Sequence, residues 1–244
     1  MGTDAFQDVD TYGLTIPITK HNFLVRNPEE LLEVIPEAFT IAQSGRPGPV
    51  VVDVPKDVQA GMVEFDKYPQ PGQRNDSVYM EMEDIQKIAQ KINSSKKPLL
   101  YVGGGIGSSD TYGELFSLAK KNNIPVTTTL MGLGAFPSYD PLFVGMLGMH
   151  GARYTNYILD EIDLLIALGV RFDDRATGKV MEFAPNASII HIDIDQAEID
   201  KIRETDLNLV GDLRHSMKKL VPLIEDNGRD EWVDYVAEMK AKHP

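Results

Sequence analysis

The feature that most constrains the fold is a series of short apolar segments in which hydrophobic residues follow one another without alternation. Uninterrupted apolar strands are typical of a parallel sheet that is covered by helices on both faces. Stretches with the helical spacing of apolar residues lie between most of these segments. We therefore predict an α/β fold with a doubly wound, mainly parallel six-stranded sheet. Its strands are predicted at residues 98–102, 124–129, 142–144, 164–168, 188–193 and 207–210.

The chain divides into four parts by its patterning. Residues 1–60 are predicted to form an incomplete N-terminal α/β segment, because a strand at 15–19, a helix near 27–42 and a strand at 50–54 make too little sheet for an independent core. Residues 61–79 have no periodicity and are predicted to be a linker. Residues 80–226 are predicted to be the main domain, in which a helix is expected at 196–203. Residues 227–244 are polar and are predicted to lead into a further domain.

Composition excludes several classes of protein. The net charge of −13 disfavours a nucleic-acid-binding surface, because lysines and arginines are interspersed with acidic residues. The chain has no cysteine, so neither a disulfide framework nor a thiolate metal site is possible, and a reducing compartment such as the cytoplasm is expected. No apolar run approaches the roughly 18 residues of a membrane span. We predict no membrane partner and no nucleic-acid partner.

Two sequence features indicate an anion site at the end of the predicted sheet. Gly103, Gly104 and Gly105 follow one predicted strand and precede a helix, where backbone N–H groups favour a phosphate; an ordinary tight turn is the alternative. Arg171 and Arg175 follow another strand, and guanidinium groups match phosphate oxygens. The alternative for the arginines is a surface cluster of ion pairs with the neighbouring aspartates.

Other candidates also lie just after predicted strands. Asp193 could accept hydrogen bonds from ribose hydroxyls, and so could Asp212; a helix N-cap is the alternative for each. Residues 129–132 form a loop that could lie against a flat ring or be an ordinary connection. His150 could contact a ligand or cap a helix, and no metal site is predicted because no second ligand has suitable spacing. The sequence contains no motif for acid–base or nucleophilic catalysis of its own.

Three long motifs resemble one enzyme family. They are residues 45–58 (GRPGPVVVDVPKDV), 145–151 (GMLGMHG) and 169–178 (GVRFDDRATG), with shorter matches at 3–7, 18–21, 129–134 and 191–195. Together they resemble the catalytic large subunit of acetolactate synthase, also called acetohydroxyacid synthase, from residue 2 to about residue 224. The resemblance implies the Rossmann-like central domain of a thiamine-diphosphate-dependent enzyme, preceded by the end of its aminopyrimidine-binding domain.

The resemblance also implies a function. The family condenses two 2-ketoacids, pyruvate with pyruvate or with 2-ketobutyrate, in branched-chain amino acid biosynthesis, and it uses thiamine diphosphate, Mg²⁺ and FAD. This chain is expected to supply the FAD-binding domain, whereas thiamine diphosphate and Mg²⁺ are expected only in the intact enzyme. By itself the chain is expected to be inactive. The implied partners are the other domains of the same polypeptide, further copies in a homo-oligomer and a regulatory subunit.

Individual site residues follow from the same resemblance. Phe6, Gln7 and Lys56 match positions that line the family's substrate entrance, and no catalytic or metal-binding residue is expected. The positions that match FAD contacts are Arg46, Gly104, Thr129, Leu130, Leu147, Gly148, Met149, His150, Gly169, Val170, Arg171, Phe172, Asp173, Arg175, Asp193, Ile194, Asp212 and Leu213.

Three other functions stay open from the sequence. A flavin oxidoreductase similar to pyruvate oxidase shares the central domain but uses a redox-active FAD, and residues 169–175 favour the synthase over it. A sirtuin-like NAD-dependent enzyme is disfavoured because no histidine has a supporting pocket motif. An interaction module would depend on residues 1–60, which we expect to pack against the second unit, to pair with another copy or to be disordered.

Overall fold

The computed structural model describes residues 9–74 and 80–243, which belong to two compact units. The first unit lies within Met1–Ser77 and the second within Val78–Pro244. Each unit has its own parallel sheet, with two strands in the first and six in the second. The larger sheet confirms the predicted α/β class and strand number.

The first unit has short helices around its two-stranded sheet, in which His21 is the register partner of Val50. The predicted strand at 15–19 is wrong, because this stretch ends one helix and continues as a 3₁₀ turn over Ile16–Ile18. The Thr15 and Thr19 hydroxyls donate to carbonyls four residues back, which satisfies helical carbonyls in place of a strand partner. The elements are α1 (Thr11–Thr15), β1 (His21–Leu24), α2 (Leu31–Gln43), β2 (Val50–Asp53) and α3 (Lys56–Ala60).

The second unit is a six-stranded sheet in the order β5-β4-β3-β6-β7-β8, and every neighbouring pair is parallel. Its elements are α4 (Met82–Ser94), β3 (Pro98–Val102), α5 (Gly105–Ser109), α6 (Tyr112–Lys121), β4 (Val126–Thr128), β5 (Phe143–Met146), α7 (Arg153–Glu161), β6 (Leu164–Leu168), α8 (Asp174–Thr177), β7 (Ser188–Asp193), β8 (Leu207–Val210), α9 (Leu213–Leu220) and α10 (Asp230–Lys242).

Alternate strand residues supply two separate hydrophobic cores. On β3, Leu100 and Val102 pack with α4, α6 and α9, whereas Leu99 and Tyr101 pack with α7 and α10. Both faces of the sheet are therefore covered, which is why its strands are apolar along their whole length. Because all six strands are parallel, the loops that follow them gather at the carboxyl edge of the sheet.

Two segments differ from a simple alternation of strands and helices. The helix predicted at 196–203 is wrong: only a 3₁₀ turn forms, over Gln196–Glu198. The chain then turns at Asp200, whose φ is 57° and whose carboxylate accepts from the Thr205 amide and hydroxyl. Near the C-terminus, α10 buries Trp232 in the core that it shares with α7, and the indole N–H donates to the Pro98 carbonyl at 3.0 Å.

Candidate functional site at the carboxyl edge of the sheet

The strand order predicts a crevice between β3 and β6. The chain proceeds from β3 to β4 and β5 on one side, and from β6 to β7 and β8 on the other, so β3 and β6 are the switch point of the sheet. In open α/β sheets such a switch point is where ligands bind. The Gly105 amide donates to the Gly169 carbonyl at 3.1 Å, and a Cβ on Gly105 would lie 2.6 Å from the Gly169 Cα. Glycine is therefore required for the two loops to meet.

The loop after β4 lies over the end of β3. Thr129 caps its 3₁₀ turn by accepting from the Gly132 amide at 3.1 Å, and Gly132 packs directly on the Val102 carbonyl. Leu130 and Met131 are left 70% and 78% exposed. Large apolar side chains held outward by a capped turn offer a surface for a flat, partly apolar ligand.

The two motifs 145–151 and 169–178 are in direct contact. The Met149 amide donates to the Arg175 carbonyl at 2.8 Å. Gly148 has φ of 86° and packs against Arg175 and Ala176. Its amide donates to the Asn156 side chain at 2.8 Å, which ties the loop to α7. The loops after β5 and β6 are therefore in direct contact at the carboxyl edge of the sheet.

The segment after β6 alternates strictly between inward and outward residues. Val170 and Phe172 are buried, whereas Arg171 and Asp173 are exposed. Asp173 caps α8 by accepting from the Ala176 amide at 3.1 Å. Within residues 9–74 and 80–243, neither the Arg171 nor the Arg175 side chain makes a hydrogen bond or ion pair. The described residues thus give no ion-pair cluster here, and both guanidinium groups are available to an anion.

Two buried carboxylates lie at the ends of strands: Asp193 is the last residue of β7, and Asp212 follows β8. Asp193 accepts from the Asp195 amide at 2.9 Å, and burial raises the pKa of its carboxyl above the ordinary value. Asp212 is the N-cap of α9, because its side chain accepts from the Arg214 amide at 2.8 Å. Asp212 is thus the helix cap that the alternative predicted, and its contact with a ligand stays a prediction. Ile194 is partly buried next to Asp193, and Leu213 packs against Gly169 beside the crevice.

The remaining predicted residues are distributed as follows. Gly104 is partly exposed beside Met131, Leu147 is buried, and Met149 and His150 are exposed on the 145–151 loop. Arg46 and Lys56 lie in the first unit, both exposed, and Lys56 begins α3. Phe6 and Gln7 lie outside the described residues. The predicted contacts of the second unit thus share one edge of one sheet.

Sequence reasoning missed His191 as a site residue. It lies on β7 and is fully buried, next to the 169–175 segment. Its signal was available: a histidine stands inside an otherwise apolar strand, and buried polar groups are expected to have a hydrogen-bonding role.

Two kinds of feature are absent from the described residues, a metal-binding cluster and a membrane span. Among residues 9–74 and 80–243, no group of three or more His, Asp or Glu side chains could hold a metal ion. No helix in the described part of the chain is long and apolar enough to cross a bilayer.

The strand order and the loop cluster define a doubly wound parallel α/β domain, and its carboxyl edge carries two arginines that have no partner within residues 9–74 and 80–243. Comparison with known proteins identifies the family. The chain belongs to the thiamine pyrophosphate enzyme family, since residues 85–220, more than half of the chain, match the model described as "Thiamine pyrophosphate enzyme, central domain".

Similar proteins support this assignment over the whole chain. The chain is 50% identical over 244 residues to the acetolactate synthase isozyme 1 large subunit of Escherichia coli K12. It is 47% identical over 252 residues to the acetolactate synthase large subunit of Corynebacterium glutamicum. These alignments cover 100% of this chain but 43% and 40% of the relatives. A probable acetolactate synthase large subunit of Methanocaldococcus jannaschii is 45% identical, covering 98% of this chain and 42% of that protein. The chain therefore spans about two fifths of these relatives.

Proposed function

We propose that this chain provides the central, FAD-binding domain of an acetolactate synthase large subunit. The observation that carries the proposal is a pair of exposed arginines, Arg171 and Arg175, which have no partner in the described part of the chain. They lie in a segment that packs against the 145–151 loop at the carboxyl edge of the sheet. A dinucleotide has a diphosphate, which guanidinium groups match. It also has flat rings, which the apolar surface of Leu130 and Met131 suits.

The donor set fits this cofactor. Cationic side chains without partners among the described residues follow β6, and a buried carboxylate, Asp193, ends the neighbouring strand, where it can accept from a ribose hydroxyl. In this assignment Arg171 and Arg175 neutralise the diphosphate, and the glycine contacts at Gly105 and Gly169 keep the crevice narrow. When bound, the flavin supplies a structural element of the site, because the net condensation of two 2-ketoacids involves no oxidation.

In the intact enzyme, this domain would contribute to the condensation of pyruvate with pyruvate or 2-ketobutyrate. The proposal assigns thiamine diphosphate and Mg²⁺ to other parts of that enzyme, and it keeps Lys56, with Phe6 and Gln7, as residues that line the substrate entrance. A cytoplasmic homo-oligomer with a regulatory subunit completes the proposal. These elements rest on the resemblance and on the names of the relatives.

Flavin binding by the purified 244-residue chain tests the proposal. FAD should bind with quenching of its fluorescence, whereas riboflavin, which has no diphosphate, should bind far more weakly. NAD⁺ should not compete; tight NAD⁺ binding in place of FAD would support a sirtuin-like enzyme. With thiamine diphosphate and Mg²⁺ added, the chain alone should not condense pyruvate. Reduction of bound FAD by pyruvate under those conditions would instead favour an oxidase.

A further inference from the structure

His191 contacts both residues that flank Arg171. Its Nε2 lies 3.0 Å from the Val170 carbonyl oxygen, and its ring meets the Phe172 ring edge to face, with centroids 5.2 Å apart at 84°. The histidine is fully buried, so neither contact is shared with solvent. Arg171 stands between these two held neighbours and points outward.

The hydrogen bond fixes the tautomer of the imidazole. A carbonyl oxygen only accepts, so Nε2 carries the proton and donates to Val170. Nδ1 is then an unprotonated acceptor, and among the described residues it has no hydrogen-bond partner. Burial lowers the pKa of His191, so the neutral ring is favoured. In this apolar setting, a neutral imidazole can donate to the backbone carbonyl without the cost of burying a charge.

The strand register explains why one histidine reaches this segment. Tyr101 on β3, Ala167 on β6 and His191 on β7 lie side by side in one row across the sheet. The alanine leaves room above the middle of the row, and Phe172 packs there against both Tyr101, at 5.9 Å, and His191. The segment after β6 is thus folded back onto the sheet, with His191 supplying its polar anchor.

From this geometry we infer that His191 is a positioning residue, which sets the direction of the Arg171 guanidinium by holding Val170 and Phe172 on either side of it. The inference rests on the proposed binding of a dinucleotide diphosphate by Arg171. Asp193 lies on the same strand two residues later, and its carboxylate is 3.8 Å from the His191 Nε2. One imidazole therefore connects the loop after β6 with the end of β7.

A double-mutant cycle on the full chain, with FAD as the probe, tests this role. His191→Leu keeps the approximate bulk but removes the donor, and it should weaken FAD binding roughly tenfold, since one positioned buried hydrogen bond is lost. His191→Gln can place an N–H near the Nε2 position and should restore binding to within about threefold. In an Arg171→Met background, His191→Leu should change the Kd less than about twofold, because the group that it positions is already gone.

Controls separate positioning from general stability. Tyr101→Phe removes a buried hydroxyl that has no partner among the described residues but keeps the ring against Phe172, so FAD affinity should not change. Equal losses from His191→Leu with and without Arg171 would overturn the inference, and so would unchanged binding in His191→Leu alone. Wild-type protein that fails to bind FAD would overturn the proposed function and the inference together.

The hydrogen bond can also be tested without any variant. In ¹⁵N NMR spectra of the wild-type chain, His191 should show the neutral form with its proton on Nε2. A proton on Nδ1 would contradict the bond to Val170 and would overturn the inference even if His191→Leu did not fold.

Discussion

The Met149 amide donates a 2.8 Å hydrogen bond to the Arg175 carbonyl, and this bond joins two loops that follow different strands of the same sheet. It lies beside Gly148, whose φ of 86° directs the loop toward α8. The two longest glycine-rich motifs of the second unit are therefore one structural feature, and changes in either should act on both.

Gly148→Ala should displace the wall formed by residues 175–176. An added Cβ would lie 2.7 Å from the Ala176 Cα and closer still to the Arg175 carbonyl, in a left-handed conformation that alanine disfavours. We expect FAD affinity to fall at least tenfold, and stability to fall by more than the roughly 1–2 kcal/mol of left-handed strain. Flavin fluorescence titration and urea unfolding measure the two effects.

Gly134→Ala is the matched control for this change. Gly134 has the same φ of 86°, but nothing lies within 4 Å of its Cβ position. The Gly134→Ala protein should therefore be destabilised only by backbone strain, and its FAD affinity should equal that of the wild type. Equal effects of the two substitutions on FAD binding would show that backbone strain, rather than contact between the loops, controls the site.

The arginines should contribute through charge. Arg171→Met and Arg175→Met should each weaken FAD binding about tenfold at low ionic strength, because a charge-assisted contact with the diphosphate is lost. The loss should shrink as salt is added, since exposed charges are screened. Lys219→Met is the control, as Lys219 is exposed in the last turn of α9, away from the strand ends. Similar losses from Lys219→Met would indicate a nonspecific effect of net charge.

Much of this fold was predictable because its information is local. Apolar segments such as 98–102 and 164–168 are buried on both faces, so their sequences indicate a parallel sheet without knowledge of their neighbours. Parallel strands end at one edge, so residues that follow different strands could be assigned to one region before the structure was known. Whether those residues bind FAD remains a prediction.

What the sequence did not indicate depends on contacts between distant residues. His191 and Val170 are 21 positions apart, and their bond depends on the order of β6 and β7. The polar residues 227–244 have too few apolar positions to stand out as part of the core. Trp232 is buried through contacts with residues that are distant in the sequence. Its indole N–H, for example, donates to the carbonyl of Pro98, which begins β3 134 positions earlier. At residues 15–19 the alternation of the sequence indicated a strand that does not form. The Thr15 and Thr19 hydroxyls instead donate to carbonyls four residues back, as in a helix.

Burial of His191 should make stability depend on pH. Its pKa lies below the ordinary value of 6.5, chiefly because burial desolvates the ring, while the charges of Asp193, Glu198 and Asp200 act in the opposite direction. The unfolded chain therefore binds more protons below about pH 6.5, so stability is complete above that pH and falls as the pH drops through it. Between about pH 7.5 and 5.5, the wild type should lose more thermal stability than His191→Gln.

Other groups near His191 do not reverse this sign. Burial raises the pKa of Asp193, so its ionised carboxylate destabilises the folded chain at neutral pH. This destabilisation decreases as the pH falls toward the raised pKa, in the wild type and in His191→Gln alike. His215→Gln makes the same substitution at an exposed histidine on α9 and is the matched control. A pH dependence that is the same in His191→Gln and the wild type would show that His191 is not the titrating group.

Arg229 should be a main source of stability for the C-terminal helix. Its guanidinium donates to the Ile92 carbonyl at 2.9 Å, to the Asn122 carbonyl at 2.9 Å through Nε, and to the Ser95 carbonyl, so it joins the ends of α4 and α6 to the start of α10. Arg229→Met removes the guanidinium's hydrogen bonds to all three carbonyls and should cost about 2–4 kcal/mol in urea unfolding. Arg229→Lys should recover little, because one ammonium group cannot span the three acceptors. Lys242→Met removes an exposed ion pair with Glu238 on the same helix and should cost less than about 1 kcal/mol. If Arg229→Met proved no more destabilising than Lys242→Met, α10 would have to be held by its other contacts, such as those of Trp232 and Lys240.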